Sequence, residues 1–241
     1  MPERAALVTG GSSGIGLAIA RMLGKDLGYG VTVNGRRPDK LEDAVNKLKE
    51  EGIDATAAPG NMADEEEIKR VVGQHRDAYG RMDVLINNAG VGIGAAIADA
   101  ETKKLDMQLN VNLRGVYLIL RESIPMLKEA GHEHRKALVV NMASIAGKFG
   151  QAWLSMYSAT KFAVVGLSQS AHRELAGDGI QVTAFCPGFV DTAMTDWTKG
   201  SVSADEMIQP DDIAEAVRFL LSTSPACMVP EIQFIRPGDQ M

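Results

Sequence analysis

Cysteine is scarce in this chain. Of 241 residues only two are cysteines, Cys186 inside the apolar run VTAFCP and Cys227 near the C-terminus. Two such distant thiols make neither a disulfide framework nor a cysteine metal site, so both read as packing residues. A basic excess is lacking as well. The 31 acidic side chains outnumber the 25 basic ones, for a formal net charge of −6, and no basic stripe stands out, which argues against general nucleic-acid affinity. No apolar run approaches the roughly 20 residues of a membrane span. Met1-Pro2-Glu3-Arg4 leads straight into an apolar segment, so no signal peptide is expected and the cytoplasm is the expected compartment. Histidine is sparse too. His132 and His134 flank Glu133 in a charged turn, but a zinc site needs further ligands, and none stands close in sequence; no metal is expected.

What the chain does have is alternation. Strand-like apolar runs are expected at 5–8, 30–35 (GVTVNG), 54–60, 83–90, 136–144, 180–188 and 231–237. Between them fall helical patterns at 38–50 (opened by Pro38), 64–79 (Asp64 with Glu67 as a capping pair), 102–130, 153–176 and 210–222. A polar loop containing Met and Trp occupies 193–209. Strict alternation of β and α implies a doubly wound, Rossmann-type parallel sheet with helices on both faces. With no repeat, linker or low-complexity segment, residues 1–241 read as one domain.

The first strand runs into TGGSSGIG at 9–16 and then into a helical apolar pattern. Strand, glycine-rich turn and helix is the context of a dinucleotide-binding turn. Gly10 allows the tight turn, Gly14 lets backbone approach a pyrophosphate, and Gly16 lets the helix pack close to the sheet. The helix N-terminus offers free N–H groups and about half a positive charge. After strand two, where an acid holds the ribose 2′-hydroxyl of NAD, the chain reads Gly35-Arg36-Arg37. A guanidinium binds a 2′-phosphate and a carboxylate repels it, so this turn favours NADP(H) over NAD(H).

Further on, Tyr157 and Lys161 stand four residues apart, thirteen and more after Ser144. Residues four apart on a helix share a face, and Ser144 can reach the same cleft from the end of the preceding strand. A phenol ionises near pH 10. A cation about 4 Å away, at an effective dielectric of about 20, is worth roughly 4 kcal/mol, or about three pKa units. A tyrosine tuned in this way exchanges a proton with a carbonyl or alcohol oxygen.

Taken in order, TGGSSGIG at 9–16, NNAG at 87–90, Asn112, Ser144 with YSATK at 157–161, and PGFVDT at 187–192 resemble the short-chain dehydrogenase/reductase family along the whole chain. The glycine spacing is that of its short single-domain members. The resemblance implies an NADP(H)-dependent interconversion of a carbonyl and a secondary alcohol, with Ser144, Tyr157, Lys161 and Asn112 as the catalytic set. Asn112 is implied to hold a water that links Lys161 to solvent. The implied cofactor contacts are Gly10, Ser12, Ser13, Gly14, Ile15, Gly16, Arg36, Arg37, Asn61, Met62, Asn88, Ala89, Gly90, Tyr157, Lys161, Pro187, Gly188, Val190 and Thr192. Of these, Val190 and Thr192 are implied to grip the nicotinamide carboxamide. Asn61 stands where relatives have Asp, and its amide oxygen can still accept from adenine. Asn87 is expected to brace neighbouring strands. Alongside Ser144 and Tyr157, the substrate pocket is expected to include Ile145, Trp153, Phe189, Met194 and Trp197. These walls are mostly apolar and favour a hydrophobic or aromatic carbonyl. An NAD-linked alcohol dehydrogenase and an idle NADP-binding regulator are the alternatives. Homodimers or homotetramers are expected, with Leu118, Ile119, Val164, Val165 and Leu167 as apolar residues in need of a second partner.

Overall fold

The computed structural model describes residues 2–196 and 202–237. Seven parallel strands form one sheet in the order β3-β2-β1-β4-β5-β6-β7. They are β1 (Ala5–Val8), β2 (Gly30–Gly35), β3 (Ala55–Pro59), β4 (Val84–Asn87), β5 (Ala137–Met142), β6 (Ile180–Pro187) and β7 (Glu231–Phe234). The five inner strands are buried at every position, whereas the edge strands β3 and β7 are partly exposed. Burial on both faces explains why the inner runs are apolar throughout rather than alternating.

The helices are α1 (Gly14–Leu27), α2 (Pro38–Glu50), α3 (Glu65–Tyr79), α4 (Thr102–Leu109), α5 (Gly115–His134), α6 (Ser155–Leu175) and α7 (Pro210–Ser222). Successive strand residues point to opposite faces, and the core divides accordingly. Ala6, Val8, Val84, Ile86, Leu138 and Val140 meet α1, α2 and α7 through Ile19, Leu23, Leu41, Leu48, Ile213 and Val217. On the other face, Leu7, Leu85 and Val139 meet α3, α5 and α6 through Ile68, Val71, Leu120, Leu127 and Leu175. Among the described residues no helix is long and apolar enough to cross a membrane.

Local signals set several boundaries. Pro38 occupies the first turn of α2. Asp64 caps α3 by accepting from the Glu67 N–H at 3.0 Å. The expected capping box closes differently: Glu67 Oε2 accepts from the Asn61 N–H at 2.7 Å, not from Asp64. The expected helix at 102–130 is interrupted. A π turn at Asn110–Arg114 separates α4 from α5, and α5 continues to His134. The expected helix at 153–176 begins two residues later, because Trp153 holds a left-handed φ of 66°.

His75 is a buried titratable group beneath the sheet. It is fully buried, its Nδ1 lies 2.7 Å from Thr32 Oγ1, and burial pushes its pKa from 6.5 down to about 4. Above about pH 6.5 the ring is neutral in both folded and unfolded chains. As the pH falls toward 4, the unfolded chain takes a proton that the folded chain refuses, and stability is lost. The complete loss is roughly 3 kcal/mol. Urea unfolding at pH 7.5 and pH 4.5 should therefore show wild type losing about that much more stability than His75→Gln. An equal loss in the two proteins would overturn the assignment.

Candidate active site at the carboxyl edge of the sheet

The strand order reverses between β1 and β4, and a crevice opens at the carboxyl ends of these two strands. The glycine turn enters it from β1. Gly10 has φ 62° and Gly14 has φ 54°, both in the left-handed region. The cap residue Ser13 gives α1 no side-chain hydrogen bond, and no acid stands in its first turn. The first N–H groups of α1 therefore face the crevice without an anionic partner, an arrangement that suits a phosphate. Asn88 fastens the turn to β4. Its Nδ2 donates to the carbonyls of Thr9 at 3.0 Å and Gly10 at 3.1 Å. A Cβ at Gly16 would lie 2.6 Å from that nitrogen, so glycine there makes room for the fastening. Thr9 was not singled out from the sequence, although it opens the motif. Its hydroxyl accepts from the Asn88 and Ala89 N–H groups, each at 3.0 Å.

At the end of β2, Gly35 is buried, and a Cβ there would stand 3.3 Å from Ser12 Oγ. Arg36 and Arg37 follow, exposed, their guanidinium groups with no hydrogen-bond or ion-pair partner among the described residues. The expectation for Asn61 needs adjustment. Its Oδ1 already accepts from the Ala63 N–H at 3.1 Å, leaving one lone pair for adenine rather than a free amide oxygen. Met62 is buried under the π turn, where a Cβ on Gly115 would come within 2.2 Å of the Met62 carbonyl oxygen. Asn87 braces strands as expected. Its Nδ2 donates to Asn141 Oδ1 at 2.8 Å, Asn141 Nδ2 to Ser168 Oγ at 2.9 Å, and Ser168 Oγ to the Val164 carbonyl at 2.7 Å.

Tyr157, Lys161, Ser144 and Asn112 meet on the far side of the crevice. Lys161 is 4% exposed. Its Nζ donates to the Met142 carbonyl at 2.7 Å and stands 5.5 Å from the Tyr157 ring centre. A Cβ on Gly90 would lie 3.7 Å from the same Nζ and 3.4 Å from Asn112 Oδ1. Ser144 Oγ donates to the Pro187 carbonyl at 3.3 Å and accepts from the Ala146 N–H at 3.1 Å.

The electrostatic expectation changes. Burial pushes the Tyr157 phenol above its ordinary pKa, and a hydrogen bond with Ser144 offsets part of the rise. Burial also lowers Lys161, to about 8, because desolvation disfavours both charged forms. The buried side chain of Asn112 is also already engaged. Its Oδ1 accepts from the Val91 N–H at 2.8 Å, while its Nδ2 donates to the Val91 carbonyl at 2.8 Å and to Thr160 Oγ1 at 3.2 Å. It fastens the chain after β4 to the π turn and α6.

On the remaining rim, the Gly188 N–H donates to the Phe234 carbonyl at 2.8 Å. Val190 is buried beside Ile208, and the Thr192 methyl faces Gly14 at 3.0 Å from its Cβ position. Ile145 and Phe189 are half-buried, the latter with Arg236 5.5 Å over its ring, and Met194 is exposed. Trp153 covers Gly94. Trp197 lies outside the described residues. His132 and His134 diverge, the first toward Asp178 at 3.4 Å and the second toward Asp83 at 3.7 Å. A cavity of about 540 Å³ bordered by His132, Arg135 and His172 opens elsewhere, beside the start of β6, away from the glycine turn and Tyr157.

Comparison with known proteins agrees with this geometry. The family model described as short chain dehydrogenase matches residues 4–201. A 3-oxoacyl-[acyl-carrier-protein] reductase, FabG, of Staphylococcus aureus is 35% identical over 229 residues, 91% of each chain. The structure of an alcohol dehydrogenase from Thermococcus sibiricus, complexed with 5-hydroxy-NADP, is 28% identical with a TM-score of 0.88, covering 99% of this chain and 98% of that one. A 3-ketoacyl-(acyl-carrier-protein) reductase from Brucella melitensis, complexed with NADH, is 28% identical with a TM-score of 0.87 and 96% coverage of both. The chain belongs to the short-chain dehydrogenase family and is an oxidoreductase of that type.

Proposed function

We propose that the chain is an NADP(H)-dependent oxidoreductase that interconverts an uncharged, apolar ketone and its secondary alcohol, with Tyr157 as acid and base. The observation that carries this reading is the meeting of Ser144, Tyr157 and Lys161 across one crevice from the glycine turn.

The residues fit a nicotinamide dinucleotide. The uncapped, acid-free start of α1 suits its diphosphate. Similarity does not choose between NADP and NAD, since the neighbours include complexes of both kinds. The choice rests on Gly35 and the two unpartnered arginines beside it. When bound, the nicotinamide supplies or accepts the hydride.

The rest of the chemistry belongs to the side chains. Because burial raises its pKa, Tyr157 is protonated at neutral pH, the form that donates to a ketone oxygen. The Ser144 hydroxyl must also donate to that oxygen. Its present bond to Pro187, at 3.3 Å, is long enough to give up. Proton loss leaves a phenolate with Lys161 5.5 Å from the ring centre. A cation that close favours the phenolate once it forms. Asn112 keeps the chain at Val91 in place beside them.

Homo-oligomers form part of the proposal, mostly on different residues from those first expected. Leu118, Ile119, Val164 and Val165 are buried within the chain itself, and Leu167 is half-buried. Tyr117 and Phe162 instead lie about half exposed on α5 and α6, and a second copy is the proposed cover for them.

Tyr157→Phe keeps the ring and loses the transferable proton. Ketone-dependent NADPH oxidation should fall below a few per cent of wild type, with NADPH affinity near normal by fluorescence titration. Higher retained activity would sink the assignment. For Lys161 the sign is set by its pKa of about 8. The ammonium is lost as pH rises through that value, so NADPH should bind several-fold more weakly at pH 9 than at pH 7. In Lys161→Met that difference should vanish. A flat wild-type profile would remove the lysine from the cofactor site. The double change Arg36→Asp/Arg37→Ala removes the charge-assisted contact to the 2′-phosphate, worth roughly 1.5–3 kcal/mol. The kcat/KM preference for NADPH over NADH should drop by about ten- to a hundredfold. An unchanged preference means that these arginines do not read the phosphate.

A further inference from the structure

The chain that follows β4 crosses Tyr157 as a backbone strap. Val91 is held at both its N–H and its carbonyl by Asn112, each at 2.8 Å. The Ile93 N–H donates to Gln108 Oε1 at 3.2 Å. The Ala95 N–H donates to the Trp153 carbonyl at 2.9 Å. Between these anchors, Gly92 passes the phenol, with its Cβ position 3.6 Å from Tyr157 Cε2 and 4.0 Å from Met194 Sδ. Gly94 passes the Trp153 ring, with its Cβ position only 2.4 Å from Cε3. No side chain fits at Gly94 while that ring keeps its place.

Trp153 is unusual in its own right. Its φ of 66° is rare for a bulky residue, and its residue is 58% exposed. The left-handed turn places its carbonyl under Ala95 and its ring over Gly94, one helical turn before Tyr157. The strap therefore has one of its anchors on the element that carries the acid, and the gap between strap and phenol depends on it. The strap and its neighbours also carry no charge. Residues 88–98 and 149–156 contain no Asp, Glu, Lys, Arg or His. A flat backbone wall at two glycines, with a thioether and an indole beside it, matches a planar, uncharged ring.

We infer that Trp153 is a positioning residue that latches the strap 91–95 over Tyr157 and so selects planar aryl ketones over small aliphatic ones. This deepens the oxidoreductase reading above and rests on it. Neither segment carries a cation that would hold a phosphorylated carrier arm or a sugar acid.

The test uses the whole protein with NADPH and two ketones, 1-tetralone and 2-butanone. In Trp153→Gly, which suits the left-handed backbone and removes the ring, the ratio of kcat/KM for tetralone over butanone should fall at least tenfold, through a higher KM for tetralone. Trp153→Phe keeps an aromatic ring and should return the ratio to within threefold of wild type. Gly94→Ala leaves Trp153 in the chain but displaces its ring, and should lower the ratio as Trp153→Gly does. An unchanged ratio in Trp153→Gly overturns the selection, as does an equal loss of kcat for both ketones. The latch has a readout free of turnover: amide exchange at Ala95 should be at least tenfold faster in Gly94→Ala, where the Trp153 ring must leave its place, than in wild type. Equal exchange overturns the latch. If wild type turns over neither ketone, the oxidoreductase reading of this site and the selection fall together, while the exchange result still decides the latch.

Discussion

A parallel sheet is weakest where its strand order reverses, because no chain connection crosses directly between the two central strands. Here that seam lies between β1 and β4, and two adjacent asparagines at the end of β4 fasten it in opposite directions. Asn88 reaches back to Thr9 and Gly10. Asn87 reaches forward to Asn141, and through it to Ser168 on α6. A net hydrogen bond is worth about 1 kcal/mol, and a buried polar group left unpaired costs about 1–3 kcal/mol. Losing either asparagine would therefore strand partners on a neighbouring element. The glycine turn and the Tyr157 helix are tied to β4 through these two residues. Replacing either one should shift the cofactor cradle and the acid relative to each other.

The same seam explains which parts of the molecule could be read from the sequence. Signals that act within a few residues were legible. Gly10 and Gly14 do hold left-handed angles, Pro38 does open α2, and Asp64 does cap α3. Apolar runs located the inner strands to within three residues at either end, because burial on both faces leaves little room for polar exceptions. What was not legible depends on partners far along the chain. The π turn sits where Gly115 packs against Met62 and where Asn112 bonds to Val91. No window of sequence around 110–114 contains those contacts. The residues first chosen for an interface failed for a related reason. Helical periodicity shows that α6 is apolar on more than one side, but not that the sheet and α5 absorb Val164 and Val165.

Of the candidate site, the sequence conveyed which side chains share a cleft but not how charge is balanced in it. A spacing of four places Tyr157 and Lys161 on one face and leaves their environment open. The structure buries Lys161 and leaves Tyr157 half-buried. Burial raises the phenol and lowers the ammonium, so the resting site is closer to neutral than a surface pair would be. That suits the acid role proposed for Tyr157 in the resting state. In that proposal the full benefit of the lysine charge comes when a phenolate forms, which is when stabilisation accelerates a reaction.

Three departures from ordinary local structure cluster around this cleft: a lysine out of water, a tryptophan at φ 66°, and a π turn inside a helical stretch. Holding a non-glycine residue in the left-handed region costs of order 1–3 kcal/mol. Such departures persist only where the surroundings overdetermine them, and in this chain each has a hydrogen-bonded partner. Lys161 has the Met142 carbonyl, Trp153 has the Ala95 N–H, and the π turn has the two bonds between Asn112 and Val91. Two of those three partners lie on the strap from Val91 to Ala95, a segment with neither helix nor strand of its own. The strap is thus a common support for the strained tryptophan and the irregular helix, and it crosses the acid between them. A segment held at three points by costly neighbours has little freedom to widen, and that rigidity makes it suited to discriminate among substrates by shape.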